Sequence, residues 1–300
     1  MCSNACAAGT PSIPECLSGR CAIQLAADQT TPDAIAVDSN AVYWVGFGTG
    51  DVMKLPIGGG AASTLATAPG SAFALAVGNG AVYWATSVGS GGSILSVSAQ
   101  GGAVSTLATG QAAVYGLAVN SSSVFWASSD GQTVMSAGIG GGTLSTIATD
   151  MAAPIYALAV SGARVYWADS GGNIDSVPVG GGMTTVMATG QGDLVSIAED
   201  SSNVYSVAED TGSVVAVGLA GGAVSTLAMG QSAPYAVAVQ GNALYWVNYG
   251  DGTVATVPTS GGTVTTLVGQ QDLPTAIAVD STNVYWVNAS SGAVLELQIQ

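Results

Sequence analysis

The sequence predicts an all-β ring of seven blades, each a four-stranded antiparallel sheet, and three observations predict it. The first is a Val-Tyr-Trp type triplet that recurs along the 300 residues. It stands at Val42-Tyr43-Trp44, Val82-Tyr83-Trp84, Val124-Phe125-Trp126, Val165-Tyr166-Trp167, Val204-Tyr205-Ser206, Leu244-Tyr245-Trp246 and Val284-Tyr285-Trp286. The spacings are 40, 42, 41, 39, 40 and 40 residues, which suits one propeller blade per copy. The second is a Gly-Gly pair in six of the copies, such as Gly101-Gly102 and Gly261-Gly262. Gly-Gly between two β-rich runs is a hairpin signal, because such turns need positive φ. The third is a complement between the ends. The seventh copy stops after its third strand, and residues 21–37 align without a gap to 263–279. The strand at Ala22–Ala26 should therefore complete the last blade and close the ring, which removes exposed strand edges.

Within one copy the elements follow in order. A short run such as Ala276–Val279 is the innermost strand, and a turn with Asp, Ser or Asn leads to the Val-Tyr-Trp strand. A Gly-containing loop and a third strand follow, and the Gly-Gly turn opens a fourth. The small residues of the first strand suit an axis where seven inner strands crowd, with room for Ala and not for Leu. All six Trp, with their Tyr or Phe neighbours, occupy one repeat position each and are read as blade-to-blade packing. Residues 1–20 form a Cys-rich extension and 21–300 the ring.

Composition excludes several functions. Lys plus Arg is 3 against 18 Asp plus Glu, giving a net charge of −15. Nucleic-acid binding needs clustered Lys and Arg and is not expected. His is absent, which removes Ser-His-Asp and Cys-His catalysis and imidazole metal ligands. Apolar residues come in short runs, none near the roughly 20 that a spanning helix needs.

The stretches AIAVDSTNVYWVN, GAVLEL and GGTVTTL resemble the YWTD repeats of low-density-lipoprotein-receptor-type propellers, and more loosely NHL-type propellers. The resemblance covers about residues 22–300 and implies a propeller of the kind that mostly serves as an extracellular binding platform. The chain departs from that pattern in having seven copies where that family usually has six. The Asp that follows the Trp survives only as Asp169, and Asn248 and Asn288 stand in two other copies.

Cys2, Cys6, Cys16 and Cys21 all lie in the first 21 residues, without the paired C-x2-C spacing of zinc sites. Two disulfides in an oxidising compartment are the expectation, with the protein secreted, periplasmic or at the cell surface. A lipoprotein anchor at Cys2 is the alternative, and whether Met1 is native is left open.

Six aromatics lie outside the packing columns. Phe73, Tyr115, Tyr156 and Tyr235 share one column with Asp33, Val195 and Thr275, where the chain enters the innermost strand. Phe47 and Tyr249 share a second column, in the loop after the Val-Tyr-Trp strand. Both loop types emerge on one face, around the mouth of the central channel. Asp28, Asp33, Asp51, Asp130, Asp150, Asp169, Asp193, Glu209, Asp210, Asp251 and Asp272 lie on the same side, eleven of the eighteen acids. Such a face attracts cations, although loops are also where a Gly- and Ala-rich chain places its solubilising charge. Candidate ligand-binding residues are Asp33, Phe47, Phe73, Tyr115, Tyr156, Tyr235 and Tyr249. Asp169, Glu209 and Asp210 are a metal candidate, and an oxygen-only set of that kind would take Ca2+. Three functions stay open: an extracytoplasmic binding module, a lyase or hydrolase using carboxylates or Tyr on this face, and a building block that self-associates through the N-terminal arm. Partners in the first case are a protein, a peptide, a glycan or a cationic small molecule.

Overall fold

The computed structural model describes residues 16–17, 20–88, 91–111, 113–128, 132–149, 151 and 153–299. Seven four-stranded antiparallel sheets follow one another around a central axis. Blade one runs Pro32–Val37, Ala41–Gly46, Val52–Pro56 and Ser63–Ala66 from the axis outward. Blade seven takes Pro274–Val279, Asn283–Asn288 and Ala293–Gln298 from the C-terminal end of the chain and Ile23–Ala26 from the N-terminal end. Ile23 pairs with Glu296 and Gln24 with Leu295, so the ring is closed as the alignment of the ends requires. Among the described residues there is no helix long and apolar enough to cross a membrane.

Side chains alternate across a strand, so Tyr and Trp of one triplet face opposite neighbours. Trp84 of blade two packs with Tyr43 and Val45 of blade one, and Trp286 of blade seven with Tyr245 and Val247 of blade six. All six Trp are at most 1% exposed, which makes this aromatic ladder the main apolar seam between blades. Blade five interrupts it: Ser206 stands in the Trp position, and its hydroxyl donates to the Ser196 carbonyl at 2.6 Å.

The inner strands correct one expectation. Leu75, Leu117 and Leu158 all line the axial cavity, where only small residues were expected. They fit because the adjacent blade offers a small residue: Leu75 packs in one cluster with Ala34, Leu117 with Ala74 and Ala76, and Leu158 with Ala118. Gly116 is the extreme case, since a Cβ there would lie 2.9 Å from the Leu158 nitrogen. The Gly-Gly turns behave as read, with φ of +86° and +123° at Gly101 and Gly102.

The lower face carries the turns between first and second strands. Asp280 accepts the backbone N–H groups of Thr282 and Asn283 on one oxygen and the Tyr285 hydroxyl on the other, at 2.7, 2.8 and 2.9 Å. Asp200 does the same with Ser202, Asn203 and Tyr205, and Asp38 with Asn40, Ala41 and Tyr43. These are Asx turns tied to the triplet tyrosine.

Cys16–Leu17 and Arg20–Cys21 form a short antiparallel ladder in which Cys16 pairs with Cys21. Cys2 and Cys6 lie outside the described residues.

Candidate functional site

A cavity of about 530 Å³ opens at the upper end of the axis. Asp33, Phe73, Tyr115, Tyr156, Val195, Tyr235 and Thr275 all line it, one from each blade in ring order. A backbone irregularity puts them there. In every blade the register between the first two strands skips this one residue: Pro32 pairs with Gly46 and Ala34 with Val45, so Asp33 is unmatched. The same skip falls on Phe73, Tyr115, Tyr156, Val195, Tyr235 and Thr275. Such a β-bulge inserts an extra residue, bends the strand and re-aims its side chain. Seven bulges thus turn one repeat column toward the mouth.

The residue just before the bulge pair is also unusual in three blades. Thr31, Ala233 and Leu273 have φ of +37°, +49° and +55°, in the left-handed region that non-glycine residues rarely enter. Their carbonyls accept the N–H groups of Phe47, Tyr249 and Ala289, which fixes the second column against the first. Glu209 holds that second position on blade five, donating its N–H to the Asp193 carbonyl.

The rings meet in two groups. Phe47, Phe73, Tyr115 and Tyr156 form an edge-to-face arc across blades one to four, with centroids 5.3, 5.2 and 5.7 Å apart. Tyr235 and Tyr249 pair at 5.7 Å on blade six. Such contacts satisfy the ring quadrupoles and stiffen the wall. Phe47, Tyr115, Tyr235 and Tyr249 stay 37–45% exposed, so the rings do not seal the mouth.

The carboxylates stand between these groups. Asp33, Asp193 and Glu209 line the cavity, and no Lys or Arg does so among the described residues. Lys54 donates to the Ala99 carbonyl at 2.6 Å, and Arg164 to Ser176 and Thr185. Burial pushes the Asp33 carboxyl up to about 6 from 3.8. Burial and the neighbouring Asp210 charge raise Asp193, whose Oδ1 is buried with no hydrogen-bond partner among the described residues. The Tyr235 phenol is raised by burial first, then by the charges of Asp33 and Glu209, which places all three in one electrostatic field.

No family model matches the chain, and no curated protein matches it in sequence. Solved structures do. It is similar to streptogramin B lyase, with a TM-score of 0.80 at 14% identity over 93% of this chain and 97% of that one. A catalytically inactive His-to-Ala variant of virginiamycin B lyase from Staphylococcus aureus, solved with quinupristin, gives 0.80 at 12% identity over 93% and 98%. The nidogen/laminin complex gives 0.60 at 20% identity over 74% of this chain and 89% of that one. At these identities the likeness is one of fold: a seven-bladed propeller whose neighbours have varied roles.

The metal candidate is not gathered. Asp169 is 1% exposed and accepts from Asn173 in its own loop, at 2.9 Å from the backbone and 3.0 Å from the amide. Asp210 accepts the Asp193 N–H at 2.8 Å, and Glu209 turns to the channel. Among the described residues no three His, Cys, Asp or Glu groups converge to hold a metal ion. Asp130 and Asp150 lie outside the described residues.

Sequence reasoning missed two things. It counted Asp193 and Glu209 on the face without placing them in the cavity; Glu209 shares the Phe47 and Tyr249 column, which was the available signal. It also passed over a Gln fifteen residues before Trp. Gln29, Gln111, Gln231 and Gln271 accept the indole N–H of Trp44, Trp126, Trp246 and Trp286 at 2.8–3.1 Å. Each also donates to the carbonyl two residues earlier, so it latches the blade linker to the seam.

Proposed function

We propose that the protein is an extracytoplasmic binding module that takes its ligand at the upper mouth of the propeller channel. The observation that carries this reading is the 530 Å³ cavity itself, walled by four aromatic bulge residues and three carboxylates. A hollow walled by aromatic rings and carrying placed polar groups has the form of a ligand site. The seven positions are equivalent by symmetry but hold Asp, Phe, Tyr, Tyr, Val, Tyr and Thr. That inequality supports an asymmetric target.

The test is a binding screen of peptides, glycans and small cations on the purified ring, followed by Tyr235→Ala and Tyr249→Ala. Each variant should bind worse by about 1–3 kcal/mol with unchanged melting. Equal affinity in both would remove this face from consideration.

A lyase or hydrolase is the second reading, because Asp33 is held near 6 beside Tyr235, the range a general acid or base needs. The similar lyase loses activity with one His, and this chain has none, so any chemistry here would fall to Asp33 or Tyr235. Binding is preferred because the group coupled to Asp33 is Tyr235, whose phenol is raised further from neutrality by burial and by the Asp33 charge, which makes it a poor base partner. The extracytoplasmic setting rests on the four Cys, of which Cys16 and Cys21 pair in register. Thiol counting on unfolded, unreduced protein should find none free.

A further inference from the structure

We propose that the ligand of the channel mouth is an organic cation, an ammonium or guanidinium group held by the Asp33 carboxylate beside Tyr235, with its apolar remainder on the Phe73–Tyr156 arc. This rests on the mouth being the binding site and adds the chemistry of what binds.

Charge narrows the choice first. Asp33, Asp193 and Glu209 face the cavity, and the other titratable groups lining it are Tyr115, Tyr156 and Tyr235. An anionic ligand would meet three carboxylates and no described counter-charge, at a depth where screening is weak. A neutral polyol could hydrogen-bond the carboxylates and phenols of the cavity but would leave the three negative charges without a counter-charge.

The second argument is what Asp33 lacks. Among the described residues its carboxyl is raised by burial alone, and Asp193 Oδ1 is buried and unpartnered among them. A buried carboxylate calls for an opposite charge, and a bound cation supplies it. Third, the walls suit a cation as well as an apolar body. Ring faces carry negative quadrupole density and attract ammonium and guanidinium groups, and the arc of Phe73, Tyr115 and Tyr156 is already fixed edge to face.

Ionisation should then couple to binding. With the free-protein Asp33 at about 6, roughly one-tenth is ionised at pH 5, so affinity for a cation should fall about tenfold between pH 8 and pH 5. Binding near pH 6 should release a proton, read from the buffer dependence of the calorimetric heat.

Isothermal titration with benzyltrimethylammonium, blocked arginine amide and neutral benzyl alcohol tests this on the full chain. Both cations should bind more tightly at pH 8 than at pH 5, and benzyl alcohol should bind at least tenfold more weakly. Asp33→Asn should remove most of the pH dependence, leaving only the smaller part due to Asp193, and weaken the cations about tenfold. Whichever cation binds better identifies the source, a free small molecule or a basic side chain of a polypeptide, and either supports the proposal. If benzyl alcohol binds as well as the cations, independent of pH and of Asp33→Asn but lost in Phe73→Ala, the cation proposal is overturned and the binding site stands. If a ligand from the screen binds and neither Phe73→Ala nor Tyr235→Ala affects it, the site reading fails and the proposal with it.

Discussion

Carboxylates at the two ends of the same inner strands live in opposite conditions. At the lower turns Asp200 and Asp280 lie below the usual carboxylate range, because hydrogen bonds from backbone and tyrosine outweigh their partial burial. At the upper mouth Asp33 and Asp193 lie above it, because burial is not offset. The lower acids are local devices: each bonds within five residues of itself. The upper acids belong to a site assembled from seven blades. An acid that is satisfied within its own turn explains a turn. An acid that is left wanting, in a cavity with aromatic walls, points to something outside the chain.

Opening the ring should separate the two classes most sharply. Deleting residues 1–27 removes the strand Ile23–Ala26 and leaves the Ala293–Gln298 edge of blade seven bare. Stability should fall by several kcal/mol, and ligand binding at the mouth should go with it. A truncated ring that melts at the parent temperature would show that closure contributes nothing.

A single lower-face change comes next. Asp280→Ala removes four hydrogen bonds to a charged acceptor and leaves the buried Tyr285 hydroxyl without Asp280. The expected loss is about 3 kcal/mol at pH 7 by chemical denaturation. Because the folded-state value is depressed, this stabilisation exists above the ordinary carboxylate range and fades as pH falls through the folded one. Asp33 has the opposite sign. Its raised value means that the folded state holds the proton longer, so its contribution to stability declines as pH rises from about 4 to about 6. Asp33→Asn should therefore stabilise the free protein at pH 8, by about 1–2 kcal/mol after allowing for partial solvent access. A loss at pH 8 would mean that Asp33 is a structural group like Asp280.

Much of this contrast is readable in the repeat. Aligned copies expose the column holding Asp33, Phe73, Tyr115, Tyr156 and Tyr235 because four of its seven members are aromatics that lie outside the Val-Tyr-Trp triplet. The bulge that turns this column inward is not readable, since a bulge is a property of register between strands and any residue type can occupy it. The lower aspartates announce turns, but their bond to the triplet tyrosine depends on two side chains meeting across the turn. The metal candidate is not gathered for a similar reason: Asp169, Glu209 and Asp210 lie in adjacent loops, yet Asp169 bonds Asn173, Asp210 takes the Asp193 N–H and Glu209 lines the channel.

The same distinction between satisfied and wanting groups runs around the Trp seam, and it yields the smallest effect. Four indoles have their Gln latch. Trp84 and Trp167 have buried N–H groups with no partner among the described residues, because Ala68 and Met151, each sixteen rather than fifteen residues before its Trp, take the latch place; Gly50 lies against the Ala68 carbonyl as Gly212 lies against that of Gln231. The Met151 backbone N–H contacts the Gln132 carbonyl, as those of Gln231 and Gln271 contact the Gly212 and Gly252 carbonyls, so its side chain starts from the latch position. Met151 is 7% exposed and packs in one cluster with Trp167. Met and Gln have similar length, so Met151→Gln can place an acceptor at the Trp167 indole with little change of volume. The net gain of one hydrogen bond that also relieves a buried orphan donor is about 1 kcal/mol, or roughly 2 °C in melting temperature for a domain of this size. Gln111→Met is the reverse experiment and should orphan the Trp126 indole at a similar or larger cost. Met151→Gln without gain, together with Gln111→Met without loss, would reduce the latch to a coincidence of spacing.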